Sequence, residues 1–125
     1  MTGYVDEYGQ PKIKLFVRGL QREQAVETVI DTGFNGDLCL PIPVAVQLGL
    51  QLVAHHFVEL ADGSIHRELI FTGTVILDNM ERAAEISLTE SEEALLGTGL
   101  LKGRKLEIGF ESRRLNIQPE VATGP

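Results

Sequence analysis

The sequence predicts a mostly β protein in one domain, with one or two short helices. Short apolar segments alternate with polar residues at a period of two, which is typical of half-buried strands. Glycine, proline, Asn-Gly and Asp-Gly separate these segments, as turns require. The chain has 125 residues, of which 43% are hydrophobic, so it can build one core but not two domains of ordinary size. This pattern indicates a small barrel or sandwich.

The first half of the chain is predicted to hold three strands and one helix. Ile13, Leu15 and Val17 alternate with more polar neighbours, which predicts a strand that ends near Leu20. A polar turn and a second strand follow, and then an irregular loop at residues 31–37. The second strand is Ala25–Ile30. After the loop come a third strand, Leu38–Leu40, and a helix at Val44–Leu48 that Gly49 ends.

The second half is predicted to contain a long hairpin and several short strands. Asp62-Gly63 tolerates the positive φ of a tight turn, so the turn Ala61–Ser64 should join two arms. The expected strands are Leu52–Leu60, Ile65–Leu77, Ala83–Leu88, a strand from Ala94 followed by a short helical piece, Lys105–Phe110 and Arg113–Ile117. We therefore divide the chain into an N-terminal segment (1–12), a domain (13–117) and a loose C-terminal tail (118–125).

Charge and cysteine content argue against several classes of protein. Eighteen acidic residues against eleven basic ones give a net charge of −7, which disfavours nucleic acid and anionic membranes as partners. Cys39 is the only cysteine, which excludes an internal disulfide and fits a reducing, cytoplasmic location. No apolar stretch approaches the roughly 20 residues that span a bilayer, and no secretory signal precedes the first strand, so we expect a soluble, unprocessed chain.

The strongest candidate for chemistry is Asp31-Thr32-Gly33, which directly follows the apolar pair Val29-Ile30. A carboxylate at the end of a buried strand can serve as a general acid or base. Thr32 can donate a hydroxyl hydrogen bond that fixes the loop, and Gly33 lets a substrate backbone approach closely. The tripeptide alone is weak evidence, because by itself it favours a simple turn in which Asp31 caps loop amides.

Three further features follow in order along the chain. They are the strand Leu38–Pro41 with its helix, the hairpin turn Ala61–Ser64, and the apolar segment Ala94-Leu95-Leu96-Gly97. Together with Asp31-Thr32-Gly33-Phe34 they resemble the retropepsin-like aspartic proteases, specifically the small prokaryotic single-domain group with an Asp-Thr-Gly-Phe motif. The resemblance covers residues 13–117 and implies a small closed β-barrel of the acid protease type.

The resemblance also assigns roles to individual residues. It implies that Asp31 is catalytic. It also implies that the apolar segment passes beneath the loop of residues 31–37, which we call the aspartate loop, as the floor of the site. The residues expected to support the loop are Thr32, Gly33, Leu95, Leu96 and Gly97, and those expected to contact substrate are Phe34, Asn35, Ala61, Asp62, Gly63 and Ser64.

One chain supplies only half of the required chemistry. Hydrolysis of a peptide bond without a metal or a covalent nucleophile needs one carboxylate that accepts a proton from water and a second carboxyl that donates one. Residues 95–100 weakly repeat residues 29–34, but Gly97 stands where the second acid would be. We therefore expect a homodimeric aspartic endopeptidase that pairs two copies of Asp31, acts on a peptide or protein, and needs no cofactor or metal. The alternative is a non-cleaving peptide-binding or scaffold domain with the same fold.

Two positions depart from the retroviral pattern. Phe34 replaces the small residue that follows Asp-Thr-Gly in relatives of retroviral type, and Thr98 replaces their arginine after the apolar-apolar-glycine motif. The ion pair of that arginine is therefore expected to be missing. For the dimer, we expect the strands around Lys14 and Leu115 to form sheet edges.

The histidines and the cysteine predict no second site. His55 and His56 are neighbours on a predicted strand and should point to opposite faces, so they are not expected to share a metal ion. Cys39 lies in an apolar strand and is expected to be a buried, inert thiol.

Overall fold

Residues 1–121 are the part of the chain that the computed structural model describes, and they form one sheet with two short helices. The elements are β1 (Thr2–Val5), β2 (Pro11–Arg18), β3 (Glu23–Ile30), β4 (Leu38–Pro41), α1 (Ile42–Leu48), β5 (Gln51–Glu59), β6 (Ile65–Leu77), β7 (Met80–Thr89), β8 (Ala94–Leu96), α2 (Thr98–Leu101), β9 (Arg104–Gly109) and β10 (Arg114–Pro119).

The sheet closes on itself because β6 pairs with both β7 and β2, in addition to its hairpin partner β5. The order β2-β3-β8-β4-β7-β6 therefore forms a closed barrel of six strands. Within it, β3–β8 and β4–β7 run parallel and the other pairs antiparallel. The predicted mostly β, closed-barrel fold with two short helices is confirmed.

The core fills this barrel and extends to the two helices and β10. On β2 it follows the alternation seen in the sequence. Ile13, Leu15 and Val17 on β2 are at most 1% exposed, whereas Lys14 and Phe16 face outward. The other fully buried large side chains are Leu38, Leu40, Leu48, Val75, Ile86, Leu96, Leu100 and Ile117.

The N-terminal residues form a strand that the sequence did not predict. β1 inserts between β2 and β10, and a Cβ at Gly3 would collide with the Lys12 carbonyl oxygen. The expectation that the strands around Lys14 and Leu115 form sheet edges is wrong. β2 pairs with three strands and β10 lies between β1 and β9, so the outer strand at this end is β9.

Most differences at element ends have local causes. α1 begins at Ile42, two residues before the predicted start, and Gly49 ends it as predicted with a left-handed φ of 72°. β7 begins at Met80 because Asp78 and Asn79 adopt positive φ and complete a tight turn. Strand β10 extends to Pro119, and residues 122–125 of the predicted tail lie outside the described residues. Neither helix in the described part is long and apolar enough to cross a membrane.

Candidate active site

Asp31 lies at the first position after β3, where the strand leaves the barrel. Ile30 pairs with Leu96 of β8, and the Asp31 N–H donates to the Leu96 carbonyl at 3.0 Å. One carboxylate oxygen, Oδ1, accepts the Gly33 N–H at 2.9 Å, and the Asp31 carbonyl accepts the Phe34 N–H at 3.1 Å. The turn thus holds Asp31 by its backbone and one oxygen, while Oδ2 has no hydrogen-bond partner among residues 1–121.

The predicted supporting segment runs directly against this loop. Gly97 is buried in extended backbone with φ −97°, and a Cβ there would lie 2.7 Å from the Phe34 carbonyl oxygen and collide with that of Gly36. Leu96 is fully buried and Leu95 half-buried. Three N–H groups after β8 donate to the loop: Gly97 to Asp37 at 2.9 Å, Thr98 to Phe34 at 2.8 Å, and Gly99 to Gly36 at 3.0 Å.

A guanidinium beside the loop is a feature that sequence reasoning missed. Asp37, whose side chain is 16% exposed, accepts the Glu85 N–H through Oδ2 at 3.0 Å, and its Oδ1 lies 3.6 Å from Nη2 of Arg82. Nη1 of Arg82 donates to the Gly99 carbonyl at 3.0 Å. Position 98 indeed carries no basic side chain, but a strand distant in sequence supplies one to the end of the aspartate loop. No local sequence pattern signals this contact, because it depends on the parallel pairing of β4 with β7.

The Arg82 contact predicts a measurable loss of stability. Arg82→Met keeps the aliphatic stem but removes the ion pair with Asp37 and the bond to Gly99. Because the guanidinium is partly exposed, we expect the free energy of unfolding to fall by about 1 kcal/mol, measured by urea denaturation at one fixed protein concentration. Arg67→Met removes an exposed cation with no ion-pair partner among the described residues and should change stability by less than about 0.5 kcal/mol. Equal effects of the two variants would contradict this assignment.

The hairpin turn is ordered by its own side chains. Gly63 adopts φ +85°, and the Ser64 N–H and hydroxyl both donate to Asp62, at 2.9 and 2.6 Å. The Ser64 hydroxyl is the main cause that lowers the pKa of Asp62 below its ordinary value. Ala61 at the tip is exposed. Within residues 1–121, no hydrogen bond links this tip to the aspartate loop.

The arms of the hairpin, in contrast to its tip, do approach the aspartate loop. A cavity of about 200 Å³ lies between them and is lined mainly by Phe34, Asp37, His56, Glu68, Ile70 and Glu85. We call it the hairpin cavity. His56 pairs with Glu68 across the two arms, while His55 packs edge-on against Phe57 with ring centres 5.7 Å apart. A larger open groove of about 600 Å³ crosses β1, β9 and β10 and contains no residue of the aspartate loop.

The remaining predicted residues are placed as follows. Thr32 and Asn35 are exposed, and the Thr32 hydroxyl has no hydrogen-bond partner in the described part of the chain. Cys39 is only half-buried, and burial raises the pKa of its thiol, which disfavours a reactive thiolate. The structure thus brings Asp31, Phe34 and the segment after β8 together. The hairpin tip has no hydrogen bond to them within residues 1–121. Among residues 1–121, no three His, Cys, Asp or Glu side chains lie close enough to hold a metal ion.

Comparison with solved structures gives the class to which this fold corresponds. The chain is similar to a retropepsin-like aspartic protease from Rickettsia conorii, with a TM-score of 0.66, 20% identity, and coverage of 92% of this chain and 86% of that one. It is also similar to EIAV protease complexed with the inhibitor HBY-793, with a TM-score of 0.57, 11% identity, and coverage of 78% and 89%.

A third similar structure is the retroviral protease-like domain of Ddi1 from Leishmania major, with a TM-score of 0.51, 17% identity, and coverage of 84% and 86%. No protein-family model and no curated protein matches the chain. The chain therefore has the fold of the retropepsin-like aspartic proteases, as the order of its motifs predicted.

Proposed function

We propose that this protein is an aspartic endopeptidase that acts as a homodimer. The observation that carries the proposal is the position of Asp31 in a retropepsin-like barrel. It directly follows β3, its backbone is bound to Leu96, and one carboxylate oxygen is left without a partner in the described chain. In a pair of such loops, one carboxylate accepts a proton from water while the other, protonated carboxyl donates to the carbonyl oxygen of the peptide bond.

The second carboxyl is proposed to come from another copy of the chain. Asp37 is the other acid of the loop, but the Glu85 N–H and Arg82 already engage its two oxygens. Thr32 and Gly33 are exposed at the tip of the loop, where a copy related by a twofold axis would bring its own Asp31 close. Two carboxylates that lie side by side do not both ionise cheaply, so the proposed pair holds one proton between them.

This proposal predicts that cleavage depends on assembly. Because only the dimer has two Asp31 carboxyls, the activity per chain should fall on dilution, with the same midpoint as the dimer-to-monomer transition. The measurement is sedimentation over nanomolar to micromolar concentrations, together with cleavage of a fluorogenic peptide mixture in the same buffer.

The two curves together decide between the candidate functions. Cleavage that stays constant per chain while the dimer dissociates would overturn the paired-carboxylate mechanism. A dimer that binds peptides but does not cut them would instead support the non-cleaving peptide-binding domain.

A further inference from the structure

The geometry points to the hairpin cavity as a binding subsite for a lysine or arginine side chain of the peptide substrate. This inference rests on the proposed function, because it assigns a specificity to the same active site. It concerns a position beside the cut bond and not the chemistry at Asp31.

The location of the hairpin cavity makes it part of the substrate cleft. One wall is Phe34, whose N–H is bound to the Asp31 carbonyl at 3.1 Å. The opposite wall is formed by the two hairpin arms, through His56, Glu68 and Ile70. A peptide bound between the aspartate loop and the hairpin arms would therefore lie against this cavity.

The size and floor of the hairpin cavity suit one long side chain. Its volume is about 200 Å³, below the roughly 300–1,000 Å³ of pockets that enclose a whole small ligand. Ile70 is 8% exposed and Phe34 is half-buried, so both offer apolar surface. The aliphatic stem of lysine or arginine packs on such a surface while its charged end stays near polar groups.

The rim of the hairpin cavity carries the charge that would select a cation. Glu68 and Glu85 both line it, and neither forms an ion pair with a basic side chain among residues 1–121. Asp37 is already paired with Arg82. No lysine or arginine of the described chain lines the cavity, so the unpaired carboxylates of Glu68 and Glu85 would repel an acidic substrate side chain at the rim.

The test compares peptides that differ at a single position. Lysine, norleucine or glutamate is placed in turn at each position around the cut bond. For the wild-type protein we expect kcat/KM for the lysine peptide to exceed that for the norleucine peptide about 5- to 10-fold at one position, as two partly exposed ion pairs would give. The preference should shrink as salt is raised.

Charge variants assign that preference to the hairpin cavity. The double variant Glu68→Gln/Glu85→Gln should bring the lysine-to-norleucine ratio to about one, and Glu68→Lys should favour the glutamate peptide. Glu111→Gln removes one exposed charge on the β9–β10 turn, which contributes no residue to the cavity lining, and should keep the wild-type ratio. A preference that is absent, or that survives the double variant, overturns the inference.

A binding measurement separates this inference from the proposed function. Fluorescent versions of the same peptides are titrated into Asp31→Asn protein with and without the two Gln substitutions. If the wild-type protein cuts no peptide, and lysine peptides nevertheless bind more tightly through Glu68 and Glu85, the endopeptidase proposal fails and the basic subsite stands. If peptides are cut without charge preference, only the subsite fails. If peptides are neither cut nor bound, both are overturned.

Discussion

Asp31→Asn should reduce peptide cleavage by about 10⁴-fold, because an amide neither accepts a proton from water nor donates one as an acid. The fold should survive the change. The Asn carbonyl oxygen can still accept the Gly33 N–H that Oδ1 accepts at 2.9 Å, so we expect the free energy of unfolding to change by less than about 0.5 kcal/mol. Cleavage rate and urea denaturation of the same preparation measure the two effects.

Asp6→Asn is the matched control for this variant. Asp6 also caps loop amides, those of Tyr8 and Gln10, both at 2.9 Å, but it lies in the β1–β2 turn outside the candidate site. Cleavage by Asp6→Asn protein should therefore persist. Cleavage retained by Asp31→Asn protein would move the catalyst to another residue.

Mixing the subunits extends the same experiment to the dimer. When Asp31→Asn protein is added in tenfold excess to wild-type protein, most wild-type chains exchange into mixed dimers with a single carboxylate. Activity per wild-type chain should then fall about tenfold. Unchanged activity, under conditions where subunit exchange is demonstrated, would show that one chain is sufficient.

Strand and turn chemistry made the barrel predictable. The alternation of Ile13, Leu15 and Val17 corresponds to their burial inside β2, because side chains along a strand point to opposite faces in turn. The same rule placed His55 and His56 on opposite faces of the hairpin, as the structure shows. Gly49 ended α1 where the sequence indicated, since its left-handed φ suits glycine.

Contacts between distant segments left no such signal. β1 was missed because Thr2–Val5 has only one fully buried side chain, that of Val5, so its alternation is weak. Its partners β2 and β10 stabilise it through backbone pairing, which leaves little trace in the pattern of side chains. The insertion of β1 beside β10, together with the pairing of β2 with β6, is also what makes the predicted sheet edges wrong.

In the candidate site, too, local sequence predicts some features and leaves out those that depend on distant segments. Asp31 and Gly97 are found by local motifs, since both belong to short segments of recognisable composition. The ion pair between Asp37 and Arg82, and the joint lining of the hairpin cavity by Glu68 and Glu85, arise only when β4, β6 and β7 are neighbours. The proposed substrate selectivity therefore depends on topology more than the Asp-Thr-Gly motif does.

Gly97→Ala should destabilise the protein by about 3 kcal/mol, a cost typical of overpacking against atoms that do not move easily. The added methyl would lie 2.7 Å from the Phe34 carbonyl oxygen and would also collide with the Gly36 carbonyl oxygen. Both are backbone atoms of the aspartate loop, and both accept hydrogen bonds from the segment after β8. The loop can yield only by breaking those bonds, so cleavage should be lost along with stability.

Gly103→Ala separates this steric effect from the general cost of replacing glycine. Gly103 has φ +76° and nothing within 4 Å of an added Cβ, so its substitution should cost only about 1 kcal/mol of left-handed backbone strain. Gly97 has φ −97°, which any residue adopts, so its larger cost would come from the collision alone. Urea denaturation of the two variants at equal protein concentration compares them. If Gly97→Ala were the more stable variant and still cleaved peptides, β8 would not be the rigid support of the aspartate loop.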